Sequence, residues 1–269
     1  FPTRRSSDLW GGVRFAWTSV EVLATATASV VLWGLFSLRL VRAREPLIAL
    51  DVLRNPIVLA GTLSMFMLQA ANVGVSVYLP VYLQSVQGLS VSESGTALLG
   101  IMLGTVAGAT FSGRAIPHVA HYKWIALFGI GLAIACLGAL SYVAPTGSFL
   151  TAELLTIGFG VGSGTTFPVC TVAVQNAVDR MHLGVATGVL SFLRSLGAAL
   201  GVALLGAVAL GYGVSFAHEG GAATATASAM AFPVIFLAAC GLLVLALAIL
   251  ATMPEKVLRG SNDAPAIAE

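Results

Sequence analysis

Seven stretches of about 20 or more mainly apolar residues run through the sequence, and each is long enough to cross a bilayer as an α-helix. Only 9% of the 269 residues are charged, whereas about a quarter of a soluble domain is charged. Because so few charges cannot cover a water-facing surface, we predict an all-α membrane protein whose partner is the lipid bilayer. The predicted spans are residues 17–38, 57–83, 94–113, 124–143, 149–174, 185–212 and 229–253.

The distribution of basic residues predicts the orientation of these spans, because cytoplasmic loops are enriched in Lys and Arg. Nine basic residues fall on one side of a seven-span arrangement, and the loops on the other side, 84–93, 144–148 and 213–228, contain none. The nine are Arg39, Arg42, Arg44, Arg54, Arg114, Lys123, Arg180, Lys256 and Arg259. We therefore expect a multi-pass protein of the inner (plasma) membrane with its N-terminus outside and its C-terminus in the cytoplasm. An external N-terminus without a signal peptide is expected to follow further spans.

Several classes of function lack the residues that their chemistry needs. The spans hold no cluster of carboxylates, His or Cys, so we predict neither an enzyme nor a bound metal or other cofactor. The isolated thiols Cys136, Cys170 and Cys240 are expected to be buried. His118 and His121 flank one short loop with no acid beside them in the sequence, which disfavours a metal site there. No basic patch suggests nucleic acid as a partner.

Glycines at helical spacing predict close helix packing, since small residues let helix backbones approach each other in lipid. Gly100, Gly104 and Gly108 share one face of the third span, and Gly197 and Gly201 share one face of the sixth. These faces serve either static packing or the sliding of a moving transporter, and the sequence leaves both interpretations open.

Arg194 is a candidate functional residue because a charge inside a membrane is costly. It lies about ten residues into its span, roughly 15 Å from the end at 1.5 Å per residue. It either faces a central cavity, paired with an acid of the missing N-terminal half or with helix carbonyls, or it ties helices of this bundle together. Glu153, near the outer end of the fifth span, either takes up protons or lies hydrated at the interface.

A polar stripe follows one face of the second span, where Gln69, Asn72 and Ser76 recur at helical spacing. Unpaired amides are unfavourable in lipid, so this face is expected to point to protein or to a water-filled cavity. Met65 and Phe66 nearby would supply an adaptable apolar wall. Hydrogen bonding between helices without any substrate is the alternative. On the fifth span, Thr165 precedes Pro168, where the helix is expected to bend.

Several motifs in their order resemble the fourteen-spanner drug:H+ antiporter family of the major facilitator superfamily, over about residues 10–253. They are EPL from Glu45 with Arg54-Asn55, YLPVYLQSVQGLS from Tyr78, Ser94-Gly95 followed by Leu98-Leu99-Gly100, VQNAV from Val174, and GVATGVLSFLRSLGAALGVALLG from Gly184. The resemblance implies a fold of one linker transmembrane helix followed by the six-helix C-terminal bundle, built as two inverted three-helix repeats.

The resemblance also implies a division of the chain. Residues 10–43 would form the linker helix, residues 44–55 a cytoplasmic interfacial segment, residues 56–254 the six-helix transporter bundle and residues 255–269 a cytoplasmic tail. The polar residues 1–9 match no neighbouring pattern and are expected to be a non-native or disordered extension. Gly113-Arg114 occupies the place of the family's cytoplasmic loop motif, which implies a gating role, although the motif's usual acid is absent.

The implied function is proton-coupled export of small lipophilic or cationic compounds by alternating access, as in multidrug efflux. Its partners would be the small-molecule substrate, protons and an N-terminal six-helix bundle that this chain lacks. A seven-helix membrane receptor or scaffold without transport activity is the alternative. A retinal protein is disfavoured because the last span contains no lysine.

Overall fold

The computed structural model describes residues 54–119, 121–144, 148–212 and 222–255, together with the helical residues Val20, Thr27 and Val31. The chain divides into residues 1–50 and residues 51–269, and the fold described below is that of the second part. Apart from the three residues just named, the predicted span 17–38 lies outside the described residues. So do the predicted extension 1–9, most of the segment 44–55 and nearly all of the tail 255–269.

Six long helices make up the described part of residues 51–269. They are α1 Pro56–Ser85, α2 Val91–Ala115, α3 Lys123–Val143, α4 Phe149–Ala177, α5 Leu183–Gly211 and α6 Ala222–Thr252. Short 3₁₀ helices, Ile116–His118 and Arg180–His182, follow α2 and α4. All six contain stretches long and apolar enough to cross a membrane, and the described ranges hold no strand. The prediction of an all-α membrane protein is confirmed.

Local sequence determines where the helices begin. The Asn55 side chain accepts a hydrogen bond from the Ile57 N–H at 3.0 Å, and Pro56 occupies the first helical position, where its missing N–H costs nothing. At α2, Ser90 and Glu93 form a capping box in which each side chain binds the other residue's backbone N–H. Ser148 caps α4 in the same way as Asn55 caps α1.

The helices α1 and α4 form the centre of the bundle. In each of them 61% of the most apolar stretch is buried, against 22–39% in the other four helices. The outer helices expose large apolar side chains instead, including Met102 and Phe111 on α2 and Phe128 on α3. Such a surface suits hydrocarbon rather than water.

The packing pattern is preserved when the first three helices are exchanged for the last three. The helix α2 packs mainly on α4, and correspondingly α5 packs mainly on α1. Likewise α3 packs on α4 as α6 packs on α1, while α1 contacts α4 and α3 contacts α6. Two three-helix groups of related packing therefore build this part of the molecule.

Glycines form the two corresponding seams, α2–α4 and α1–α5. A methyl group built on Gly104 would lie 2.5 Å from the Ile157 carbonyl oxygen, and one on Gly160 would lie 2.5 Å from that of Ile101. Gly100 lies against the Glu153 side chain, and Gly108 against the Val161 backbone. In the α1–α5 seam, Gly197 contacts the backbone of Phe66 and Gly201 that of Ala70. No side chain would fit at the backbone contacts, so glycine sets how closely these helices approach.

The two ends of the bundle are closed by different interactions. At the Lys123 end, where α1, α3 and α5 begin, the Asn55 amide donates to the Ala177 carbonyl at 3.0 Å and joins α1 to α4. At the opposite Tyr82 end, the Tyr82 hydroxyl donates to the Ala144 carbonyl at 3.0 Å. The Tyr82 ring packs edge-on against Phe232 and Phe236 of α6.

Candidate functional site

A pocket of about 460 Å³ opens where α1, α4 and α5 meet. Its lining residues are Gln69, Phe167, Arg194, Ser195 and Ala198. The structure therefore brings together Gln69 and Arg194, which are 125 positions apart in the chain. The volume lies within the range of about 300–1,000 Å³ that is typical of small-molecule sites.

The pocket lies near the middle of the membrane-spanning helices. Counted from the Lys123 end at roughly 1.5 Å per residue, Gln69 is about 20 Å deep in α1, Arg194 about 17 Å in α5 and Phe167 about 15 Å in α4. The hydrocarbon core is about 30 Å thick. Three helices thus present pocket residues at nearly the same depth, close to the midplane.

The α1–α5 seam positions the two polar residues. Gly197 and Gly201 bring the α5 backbone onto α1 at Phe66 and Ala70. Arg194 lies one turn before Gly197, and Gln69 is the neighbour of Ala70. The same close approach of α5 to α1 therefore places both side chains beside the pocket. On α4, Phe167 precedes Pro168, whose missing N–H leaves a carbonyl one turn earlier without its usual helical donor.

Arg194 has no anionic partner among the residues that the structure describes. Its side chain is exposed within the isolated bundle and makes no hydrogen bond or ion pair to any of them. The four described acids lie elsewhere: Glu93 starts α2, Glu153 lies on Gly100, Asp179 follows α4 and Glu255 binds His121. The pocket therefore carries an uncompensated positive charge within the described part of the protein.

The Gln69 amide is similarly without a hydrogen bond to any described residue, and its Oε1 atom is buried. The next residues of the predicted polar stripe are engaged by protein. The Asn72 amide donates to the Ser163 hydroxyl of α4 at 3.0 Å, and the Ser76 hydroxyl donates to the Asn72 carbonyl at 2.8 Å. Gln69 is thus the member of the stripe that lines the pocket.

Other residues predicted from the sequence lie outside the pocket lining. Met65 is completely buried in the bundle, and Phe66 is half-buried with its backbone under Gly197. Thr165 is buried against Gly129 of α3, and its hydroxyl donates to the Gly162 carbonyl at 2.8 Å. These three contribute to packing around the site rather than to its surface.

Glu153 lies on the face of α4 that packs against α2. Its carboxylate rests directly over Gly100, beside Ile157, and it is partly buried. No described residue donates a hydrogen bond to this carboxylate. The acid therefore sits in the α2–α4 seam near the Tyr82 end, apart from the mid-depth pocket.

A second cavity, of about 580 Å³, runs along the last turns of α2 and includes Arg114 and His118. All of its described lining residues come from α2 and the segment that follows it, so it is a groove beside one helix rather than a space between helices. The predicted loop residue Gly113 is exposed, and a methyl group built on it would meet no described atom within 4 Å. Packing within the described bundle therefore does not require glycine at this position.

The structure corrects the expectation that His121 has no acid nearby. Its Nδ1 atom lies 2.9 Å from the Glu255 carboxylate, which also accepts a hydrogen bond from the Lys123 N–H at 3.3 Å. The Lys123 ammonium donates to the Ala251 and Met253 carbonyls at the end of α6. This network joins α3 to α6, and sequence reasoning missed it because its members are far apart in the chain. In the described ranges no group of three or more His, Cys, Asp or Glu could hold a metal ion.

Six membrane-spanning helices in two three-helix groups of related packing, with a pocket at mid-depth between α1, α4 and α5, form the kind of repeat-built membrane bundle that transporters use. The chain belongs to the Major Facilitator Superfamily, whose profile matches residues 7–202. This finding confirms the resemblance inferred from the motifs and establishes a multi-pass membrane protein.

The chain is similar to several proteins with names that refer to transport or to tetracycline resistance. It is 26% identical over 201 residues to the multidrug transporter protein MdtP of Bacillus subtilis, covering 74% of this chain and 37% of that protein. It is 29% identical over 195 residues to a tetracycline resistance determinant of Streptomyces rimosus, covering 72% and 56%. An uncharacterised MFS-type transporter of Mycobacterium tuberculosis is 27% identical over 199 residues, covering 74% and 29%. The chain thus spans 29–56% of the length of these relatives.

Proposed function

We propose that this chain is the C-terminal part of a proton-coupled secondary transporter that exports small lipophilic or cationic compounds by alternating access. The observation that carries the proposal is the mid-depth pocket between α1, α4 and α5, with Arg194 in its wall. Membership of the superfamily and relatives named for multidrug transport and tetracycline resistance support it.

In this proposal the segments keep the roles inferred from the sequence. Residues 10–43 form a linker helix, residues 44–55 lie at the cytoplasmic interface, residues 56–254 form the bundle and residues 255–269 a cytoplasmic tail. The Lys123 end faces the cytoplasm of the cell and the Tyr82 end faces outward. Four of the five Lys and Arg residues in the described ranges lie at the Lys123 end, which supports this orientation.

Alternating access would come from rocking of this bundle against an N-terminal six-helix bundle. The longer relatives support the existence of such a partner. Glu153 would take up protons from the outer side, since its carboxylate lies near the Tyr82 end without a hydrogen-bond donor among the described residues. Gly113 and Arg114 would contact the partner bundle during gating, because the described bundle leaves both exposed.

Reconstitution in proteoliposomes with an acidic lumen tests this proposal. The protein extended by its upstream coding sequence is expected to accumulate at least one dye from a panel of lipophilic and cationic dyes, and a protonophore is expected to abolish the accumulation. The 269-residue chain alone is expected to give no flux. Proton-driven flux by the chain alone would contradict the need for a second bundle. Absence of flux from the extended protein across a panel of lipophilic and cationic dyes would contradict the exporter.

The seven-helix receptor or scaffold considered from the sequence has no supporting observation. Neither the family match nor the names of the relatives point to signalling. We therefore put forward only the transporter.

A further inference from the structure

We propose that the mid-depth pocket binds the acidic group of an amphiphilic compound, so that the lipophilic substrates of this transporter include organic anions or zwitterions, which this pocket prefers to permanent cations. The inference deepens the proposed function, on which it rests for its place in a transporter. It concerns the chemistry of the ligand and follows from the charges in the pocket wall.

The first argument is the cost of the Arg194 charge. An unpaired guanidinium at mid-depth in a membrane is unfavourable by several kcal/mol unless an anion or water compensates it. The described acids Glu93, Glu153, Asp179 and Glu255 all lie outside the pocket lining. No acid of the described bundle therefore compensates Arg194, which leaves its guanidinium available to a bound anion.

The second argument is the type of hydrogen bonding that the pocket offers. The Arg194 guanidinium carries five N–H donors, and the Gln69 amide offers its NH₂ group beside a buried Oε1 acceptor that no described residue engages. The Ser195 hydroxyl already donates to the Ser191 carbonyl at 3.0 Å. The free groups at this site are thus mainly donors, and the matching ligand group is an oxyanion such as a carboxylate, sulfonate or phenolate.

The third argument is the apolar part of the wall. Phe167 on one side and Ala198 on the other complete the lining. An aromatic ring and a small side chain suit the flat hydrophobic body of an amphiphile. A permanent cation would meet Arg194 at close range, where like charges repel. Acidic amphiphiles should therefore bind this pocket more tightly than cationic ones.

Fluorescein and rhodamine 123 provide a matched pair of probes, because they share a xanthene ring system and differ in charge. The 269-residue chain is purified in nanodiscs of neutral phosphatidylcholine and titrated with each dye at pH 8 while fluorescence anisotropy is recorded. Fluorescein is expected to bind saturably and at least about tenfold more tightly than rhodamine 123.

Substitutions then locate the binding site. Arg194→Gln is expected to weaken fluorescein binding at least about tenfold, since a hydrogen-bonded charge is lost. Arg194→Lys should give an intermediate loss because the charge remains without the bidentate fork. Gln69→Leu should weaken binding severalfold. Arg180→Gln removes an exposed arginine outside the pocket and should change nothing. Circular dichroism and size-exclusion profiles equal to the wild type establish that each variant is folded.

Three results would overturn the inference: no saturable fluorescein binding, equal affinity for the two dyes, or an affinity unchanged by Arg194→Gln. Tighter binding of rhodamine 123 would mean that an acid outside the described ranges neutralises Arg194. Loss of fluorescein binding when phosphatidylglycerol replaces phosphatidylcholine would assign the pocket to an anionic lipid instead of a soluble compound. Dye binding is measured without a proton gradient, so it can succeed even if proton-driven export fails. Likewise, export could be observed even if the pocket showed no preference for fluorescein.

Discussion

Tyr82 and Arg194 represent two ways in which a polar side chain is accommodated in an apolar bundle. Tyr82 is completely buried, donates to the Ala144 carbonyl and accepts from the Gln87 amide at 3.1 Å. Its polarity is satisfied inside the protein, so its contribution is structural. Arg194 has no such partner in the described bundle and lines a pocket. Its contribution is therefore expected to be functional.

Replacing Tyr82 with Phe removes one buried hydroxyl, and with it the hydrogen bond to the Ala144 carbonyl and the hydrogen bond from the Gln87 amide. We expect a loss of about 1–3 kcal/mol in the free energy of unfolding, the usual cost of an unsatisfied buried group. Thermal or denaturant unfolding of the chain in detergent measures it. Tyr142→Phe is the matched control, because Tyr142 is 88% exposed, and it should have little effect. Equal stability of the two variants would show that the Tyr82 hydroxyl does not stabilise the bundle.

Glu153→Gln tests the proposed proton site. A neutral amide cannot take up and release a proton, so dye flux by the extended protein is expected to lose its dependence on the pH gradient while passive dye exchange persists. Glu93→Gln is the control near the same end of the bundle, because glutamine preserves the capping box. Unchanged proton-driven flux in Glu153→Gln would remove Glu153 from the proton pathway.

At the scale of helices, the α2–α4 and α1–α5 seams are the features that the rest of the bundle depends on. They occupy corresponding places in the two three-helix groups and consist of backbone laid on backbone. Because protein and lipid are similarly apolar, close packing rather than burial from water holds such helices together. A single added carbon atom in a seam should therefore have a large effect.

Gly201→Ala and Gly188→Ala form a matched pair on α5. The methyl group of the first would collide with the Ala70 backbone, whereas that of the second would meet no described atom within 4 Å. We expect Gly201→Ala to lower the free energy of unfolding by about 1–3 kcal/mol through overpacking. Gly188→Ala should be neutral or stabilising by up to about 1 kcal/mol through helix propensity. Thermal unfolding in detergent distinguishes them, and similar melting temperatures would contradict the seam.

Hydropathy predicted the helices well, since residues 57–83 and 124–143 became Pro56–Ser85 and Lys123–Val143. It did less well at the start of α6, predicted at 229 and observed at Ala222, because the intervening Ala, Thr and Ser residues give no apolar signal. Helical spacing identified the seam glycines, among them Gly104, which contacts α4. Gly113 was assigned to a loop but lies within α2, and a methyl group built on it would meet no described atom within 4 Å.

The pocket was only partly predictable from the sequence. Gln69 and Arg194 stood out because polar residues are rare in spans, and Ala198 lies one helical turn beyond Arg194. Phe167 carries no signal of its own, since one aromatic residue in an apolar helix is ordinary. The assignment of Met65 and Thr165 to the site depended on knowing which face of each helix looks inward, and that is decided by packing between helices that are distant in the chain.

At the scale of the whole molecule, the apolar outer surface makes lipid or detergent, rather than water, the suitable surroundings for this protein. The outer helices expose large apolar side chains along much of each helix, among them Leu103 on α2 and Phe192 on α5. We expect the purified chain to be monodisperse in detergent and to aggregate when the detergent is diluted below its critical micelle concentration. Light scattering during dilution measures this, and a monodisperse chain in plain buffer would contradict a membrane protein.

The network at the Lys123 end has a consequence for how the protein is made. The Glu255 carboxylate accepts a hydrogen bond from the Lys123 N–H at the start of α3, 132 positions earlier in the chain. The Lys123 ammonium in turn donates to carbonyls at the end of α6. The first turn of α3 leaves the ribosome long before the carboxylate that it binds, and the last carbonyls of α6 meet their ammonium donor only when both helices are in the membrane. The hydrogen bonds that join the start of α3 to the end of α6 can therefore form only after α6 has been synthesised. A chain that ends before residue 255 lacks the carboxylate that accepts from the Lys123 N–H.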